Sequence, residues 1–400
     1  MHLVYKEVPR RKPEVKYKRI VKMMRSSFFK EDVTLLLKDI TGMIEPLSTN
    51  EREKLIQSGV HYCEMMPLEY KPSEKYLAIY DRALQLYSKK TADAIMTVSE
   101  KIMAKKGKNV VLISLARAGI PIGILMKRYL DKKYGIHIPH YSISIIRGRG
   151  IDKNAVNYIL KRHRQQDIMF VDGWIGKGAI FGELKKELES FKELQPEIAV
   201  VSDPANLTEM CGTHEDILIA SSCLNSTVSG LISRTFLRDD IIGKEDFHGA
   251  AYYGNLKNED RTYEFIEKIE ELFVFEENRK NSIDREKRTD DEKHMDKRNM
   301  YNTNMYNTRN SVLYNGIEEV ERICETYNID NINFVKPGIG ETTRVLLRRV
   351  PWKILISEKY RDSDELCHIY QLAEEKGVNV EYTELMNYKC CGLIKKVADA

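Results

Sequence analysis

The chain has 400 residues, of which 42% are hydrophobic, enough for two or three domains with buried cores. Its 64 Lys and Arg stand against 60 Asp and Glu, so the net charge of +4 neither demands nor excludes a nucleic-acid partner, and a basic patch has to be argued locally. Seven scattered cysteines without a Cys-x-x-Cys pair exclude a zinc ribbon, and the lack of a leader-like or bilayer-length apolar run points to a reducing cytoplasm and no membrane partner.

Taken in order, residues 1–27 are rich in Lys and Arg and read as a loose basic arm. Residues 31–46 suggest a short strand and turn, and residues 50–66 hold a helix pattern. The 3.6 period of Tyr76, Ile79, Leu84, Tyr87, Ala92, Ile95, Val98 and Ile102 predicts one or two helices over 73–106. Strands are expected at Val110–Leu115, His140–Ile146, Ile168–Val171 and Glu197–Val201. Helices should follow at about Pro121–Tyr134, Lys153–Arg162 and Ile180–Phe191. This alternation predicts an α/β fold with a doubly wound parallel sheet. Residues 204–272 are less periodic and read as the end of the same domain, 28–275. Residues 276–311 are charged and Asn-rich, cannot bury a core, and read as a flexible linker. From 312 to 400 a second, smaller α/β unit is expected. It comprises a helix at 316–327, a strand at Ile332–Val335, a glycine loop at 338–340 and a helix at 341–349. A strand at Lys353–Ile356, a helix at 363–376 and a strand at Val378–Tyr382 follow.

Loops at the strand ends of a parallel sheet share one edge. The first offers Arg117, Ala118 and Gly119. The second offers Arg147 and Arg149. The third, Asp172-Gly173-Trp174-Ile175-Gly176-Lys177-Gly178-Ala179, joins an acid, glycines and a lysine to a helix start. Amides and a helix N-terminus suit a monophosphate, arginines suit a pyrophosphate, and the acid suits ribose hydroxyls or hydrated Mg²⁺. Each loop also has a bland reading as a tight turn, a helix cap or solvated charge. A Walker A loop fails because Gly178 follows Lys177 where Ser or Thr is required. A dinucleotide turn at Gly176, Gly178 and Gly182, with Asp203 as ribose acid, leaves Asp172 and the Arg117 loop unused.

Residues 168–179 resemble the ribose-phosphate loop of type I phosphoribosyltransferases, and Leu115–Pro121 resembles their pyrophosphate loop, whose peptide is often strained or cis. The stretch from about 28 to 272 is similar, more closely, to the phosphoribosyltransferase-like proteins of tellurite-resistance gene clusters, a family also labelled cysteine protease StiP. His61–Met65, Leu115–Pro121, Val171–Ala179, Leu224–Gly230 and Asp246–Gly249 carry that match. The resemblance implies phosphoribosyl pyrophosphate (PRPP) as substrate, held by Arg117, Ala118, Gly119, Asp172, Gly173, Gly176, Lys177, Gly178 and Ala179. It implies Mg²⁺ as cofactor, met by Asp172 through water, with Asp172, Arg147 and Arg149 as the catalytic groups and a nucleobase-like acceptor. The sequence departs from the general motif at Gly173, where a second acid is usual, and at Ile175 and Lys177, where hydroxyl or small residues are usual. His248 and Glu64 are candidate general bases. The protease label needs a thiol beside a histidine, for which Cys223 with His248, or Cys63 with His61, are the candidates.

In the second unit, Gly338-Ile339-Gly340-Glu341-Thr342-Thr343-Arg344 feeds a helix N-terminus with Arg348 and Arg349 nearby. This is either a phosphate-backbone site or an ordinary capped helix with a basic face. The order of elements resembles the Pelota-like, L7Ae-type RNA-binding fold. That resemblance implies structured RNA as partner, through Gly338, Gly340, Glu341, Thr343 and Arg344, with Gly340 replacing the usual Asn. A nucleotide-sensing RNA-binding protein without catalysis is the alternative to an enzyme, and a homodimer is a further expectation.

Overall fold

The structure is a computed structural model describing residues 24–191, 194–275, 315–348 and 350–394. The expected basic arm up to residue 23 and the expected linker lie outside the described residues. Residues 24–27 are packed: Met24 is buried, and Ser27 donates its amide to Gly230 O at 3.0 Å.

The first domain opens with β1 (Thr34–Leu35), β2 (Lys38–Asp39) and α1 (Thr49–Gln57). The long periodic stretch forms one helix, α2 (Glu74–Lys106). Ser73 caps it, Glu74 and Lys105–Lys106 match its dipole, and Gly107 at φ 70° ends it. Its buried stripe, including Tyr80, Tyr87, Ile95 and Ile102, lies on the sheet's core face. Then come β3 (Val111–Ala116), α3 (Gly119–Tyr134), β4 (His140–Ile146), β5 (Gly150–Ile151), α4 (Lys153–Leu160), β6 (Ile168–Val171), α5 (Ala179–Leu188), β7 (Ile198–Ser202) and β8 (Cys211–Thr213). The domain closes with β9 (Gly249–Ala250), paired with β2, and α6 (Thr262–Glu270).

The main sheet runs β1-β4-β3-β6-β7-β8, all parallel, with β5 antiparallel to β4. The chain passes from β3 outward to β4, then crosses back to β6 on the other side of β3. The loops after β3 and β6 therefore diverge and leave a crevice at their strand ends, the usual ligand position of an open α/β sheet. α6 was not anticipated, although Thr262, Phe265, Ile266 and Ile269 carry its buried stripe at helical spacing.

The second domain comprises α7 (Gly316–Thr326), β10 (Val335–Pro337), α8 (Gly338–Arg348), β11 (Lys353–Ser357), α9 (Cys367–Glu375), β12 (Asn379–Thr383) and β13 (Cys390–Leu393). Its sheet is β10-β13-β11-β12, with only β11 and β12 parallel. The expected glycine loop at 338–340 is the first turn of α8.

The two domains share one apolar core. Ile339, Leu346, Ile354 and Ile356 belong to the same buried cluster as Tyr87, Ile95 and Leu218. Polar groups at this boundary are also matched. Asp216 accepts from Ile339 N at 3.0 Å and from Lys389 N at 2.9 Å. Lys389, 2% exposed, pairs with Glu215 at 2.6 Å and Glu365 at 2.5 Å. Gly316 N donates to Ala205 O at 3.0 Å, and Tyr388 donates its hydroxyl to Gly176 O at 2.7 Å. A bead-on-a-string arrangement would leave these groups and this apolar surface in water.

Candidate functional site

The crevice at the ends of β3 and β6 is roofed by the second domain, which turns it into a cavity of about 420 Å³. Arg117, Ala118, Arg147, Asp172 and Gly176 to Ala179 line it from the first domain. Lys336, Glu341 and Arg344 line it from the second.

Loops one and three touch at its floor. A Cβ on Gly119 would lie 2.6 Å from Val171 O and 3.1 Å from Asp172 Cα, so only glycine allows this approach. The Ala116–Arg117 peptide beside it is cis. Gly119 and Gly173 support the loops from beneath rather than lining the cavity.

Loop three is partly an extension of the sheet. Asp172 N donates to Ala199 O at 3.1 Å, Ile175 N to Ser202 O at 3.0 Å, and Gly173 N to the Asp172 carboxylate at 2.8 Å. From Gly176 to Ala179 the amides have no acceptor among the described residues. Gly178, at φ 80°, leads directly into α5. A cluster of free amides at a helix start is an anion cradle. Burial pushes the Asp172 carboxyl up to about 7, against the opposing pull of the Gly173 amide and Arg344.

The cations divide. Arg117 lines the cavity and donates to Ile232 O at 2.8 Å and Asn225 Oδ1 at 3.2 Å, with Glu69 at 3.5 Å. Arg147 also lines it and donates to Asn333 Oδ1 at 2.8 Å. Arg149 does not reach the cavity: it pairs with Glu64 at 2.6 Å on the outer side. That pair also removes Glu64 from the position of a general base. Lys177 lies on the wall, but its ammonium donates to Ile332 O at 2.6 Å and Val335 O at 3.0 Å. Burial, then Lys336, pushes Lys177 down to about 8.

The residues expected to face RNA are turned toward the first domain. Gly338, at φ 85°, sits against Asp216, and Gly340 sits against Ser222 and Trp174. Thr343 is fully buried, donates to Ile339 O at 2.8 Å and lies 2.9 Å from His368 Nε2. It holds the helix together. Arg344 pairs with Glu341 at 3.3 Å and lies 5.9 Å over the Trp174 ring. Trp174, Asn225 and Lys336 were not anticipated as wall residues. Trp174 lies within the glycine loop itself, while the other two come together only through the fold.

Among the described residues no histidine or cysteine lines the cavity. His248 is buried, with Nδ1 2.8 Å from Ser144 Oγ and its amide donating to Asp152 at 2.6 Å, so it is neither a base for this site nor a partner of Cys223.

Residues 26–270 match a family described as tellurite-like stress resistance cysteine protease StiP, and residues 314–396 match the PELOTA RNA binding domain. A relative from Acinetobacter baylyi, named "Cysteine protease StiP", is 33% identical over 388 residues, covering 93% of this chain and 94% of its own. The chain belongs to the StiP family. A solved hypoxanthine-guanine phosphoribosyltransferase from Bacillus anthracis aligns with 29% of the chain and 68% of its own at 14% identity and a TM-score of 0.22, too slight a likeness to carry an argument. Among the described residues no helix is long and apolar enough to cross a membrane.

The family's protease label directs attention to the thiols. His61 Nδ1 lies 3.0 Å from Cys63 Sγ, as the sequence suggested, and His214 Nε2 lies 3.4 Å from Cys211 Sγ, a Cys-x-x-His spacing that went unread. Both thiols are fully enclosed, and burial pushes each up to about 11. A nucleophilic thiol needs the opposite: access and a lowered pKa.

Proposed function

We propose that this StiP-family protein binds PRPP in the interdomain cavity and transfers its phosphoribosyl group to a nucleobase-like acceptor. The observation that carries this reading is the meeting, at one sheet edge, of Asp172, Arg117, Arg147 and the free amides of Gly176–Ala179. The amides and the α5 N-terminus take the 5′-phosphate. Asp172 takes the ribose hydroxyls. Arg117 and Arg147 face the diphosphate. In the reaction the bond from the anomeric carbon to the pyrophosphate oxygen breaks and pyrophosphate leaves with the electron pair. The acceptor nitrogen bonds to that carbon and releases its proton. Positive charge on the ribose ring grows beside Asp172, and negative charge on the leaving group grows beside the arginines.

The donor set fits magnesium carried in by the diphosphate rather than a resident ion. Asp172 and Glu341 are the cavity's carboxylates, and among the described residues no group of three or more His, Cys, Asp or Glu could hold a metal. Mg²⁺ takes one or two carboxylates, waters and substrate phosphates, and would neutralise the leaving pyrophosphate. The test is calorimetry with PRPP and Mg²⁺. Saturable binding lost in Asp172→Ala is expected, and no heat with the intact protein would sink the reading.

A second reading follows the family's protease label and the His61–Cys63 contact. It predicts peptide cleavage blocked by a thiol-alkylating reagent and lost in Cys63→Ala. Alkylation of the native protein without loss of any cleavage would remove it. RNA binding by the PELOTA-type domain is compatible with the first reading only through surfaces that docking leaves open.

A further inference from the structure

Beside the cavity stands a cation that the phosphoribosyl reading does not use, Arg348, and it meets Arg117, which that reading does use. Arg117 comes from the loop after β3, and Arg348 is the last residue of α8 in the other domain. Both donate an Nη2 hydrogen bond to the same acceptor, Asn225 Oδ1. Two guanidiniums thus converge on one neutral amide oxygen. Like charges brought this close repel unless an anion lies between them, and a neutral carbonyl supplies only part of that compensation. Glu69 is the nearest carboxylate to Arg117, at 3.5 Å, and it also accepts from Ser226 Oγ at 3.3 Å.

More positive charge stands behind this pair. Arg234 lies 5.6 Å over the ring of Tyr62, itself a cavity residue. Burial, then Arg52 and Arg117, pushes the Arg234 guanidinium down to about 10. Arg52 Nε is enclosed without a hydrogen-bond partner among the described residues. The macrodipole of α8 favours a cation at its end, which accounts for Arg348 alone. It does not account for a second guanidinium on the same oxygen, nor for two more behind it.

We infer that Arg117 and Arg348 form a two-domain anion subsite at Asn225, which takes a diphosphate and ties the domains together when filled. The inference rests on reading the cavity as a phosphate-ester site and adds that the second domain contributes to it. The diphosphate displaces the Asn225 carbonyl and receives both guanidinium forks. Arg348 is therefore a binding residue supplied across the domain boundary, and the first domain alone has half of the subsite.

The experiment is calorimetric titration of the full chain with inorganic pyrophosphate, alongside PRPP, in four forms: unaltered, Arg348→Met, Asn225→Asp and Asp172→Asn. Pyrophosphate should bind the unaltered chain, and bind Arg348→Met about 10-fold or more weakly. Asn225→Asp places a carboxylate between the two arginines. It should abolish pyrophosphate binding while raising Tm, which separates loss of the subsite from loss of the fold. Pyrophosphate binding unaffected in Arg348→Met, or retained in Asn225→Asp, overturns the subsite. If PRPP binding still needs Asp172 in that case, the ribose reading stands without it. If pyrophosphate depends on Arg348 but PRPP ignores Asp172, the subsite stands and the ribose reading falls.

Discussion

Lys177 donates its ammonium to the main-chain oxygen of Ile332, 2.6 Å away in the other domain. A lysine at a glycine-rich strand end suggests a phosphate ligand, yet here it fastens the roof of the cavity. Lys177→Met removes two charge-assisted bonds, to Ile332 and Val335, and should weaken domain docking by roughly 1–3 kcal/mol. Faster hydrogen exchange across residues 332–344 and a stronger shift of structured RNA at low salt are expected. Unchanged exchange there would show that the lysine is not a fastener.

Asp216 supplies a pH signature. Burial holds its carboxyl up at about 6. Between about pH 4 and 6 the folded protein therefore keeps a proton that the unfolded chain has shed. The stability from this group is full below pH 4 and is lost as pH rises through 6. Asp216→Asn should cost stability throughout, through weaker acceptance from Ile339 and Lys389. Its deficit should shrink by about 1–2 kcal/mol between pH 4.5 and 7. Urea unfolding at both pH values measures this, and a deficit that stays constant contradicts it.

Gly119→Ala drives a methyl against Val171 O, at 2.6 Å in the unrelaxed geometry. The two strand-end loops must part. A loss of roughly 1–3 kcal/mol in stability is expected, with weaker PRPP binding, by thermal unfolding and calorimetry. Gly182→Ala is the control, since a Cβ there meets nothing within 4 Å and α5 should gain slightly.

Lys389→Met takes from Glu215 and Glu365 the buried ammonium that joins them. Lys90 still reaches both, at 2.9 Å and 2.6 Å, so the cost should fall below the roughly 3–5 kcal/mol of breaking a buried ion pair outright. The double variant with Lys90→Met should cost more than the sum of the two single changes, which unfolding curves of the three variants will show.

The sheet was readable because its strands are short runs rich in apolar side chains and closed by breakers. His140–Ile146 and Ile168–Val171 lie at the predicted bounds. The residues around the cavity were readable loop by loop. Their pairing was not, because Arg149 chooses Glu64 and Lys177 chooses Ile332 only after distant segments meet. Gly338–Gly340 looked like a loop because glycines disfavour helix. The turn is nevertheless helical, and its Ile339 amide bonds to Asp216, 123 positions earlier. A contact of that kind leaves no local pattern in either segment. The roofing of the cavity by the second domain was therefore the part that sequence could least reveal.

Gly316 gives the domain boundary a last consequence. A Cβ there would lie 2.6 Å from Ala205 Cα and 2.3 Å from the Tyr388 hydroxyl, and its amide already bonds to Ala205 O. The start of α7 is thus fastened to the first domain by its own backbone. Contacts among the described residues then hold the two halves together. The protein should work as a split reporter does: residues 24–275 and 315–394, made as separate polypeptides in one cell, should copurify and regenerate the cavity.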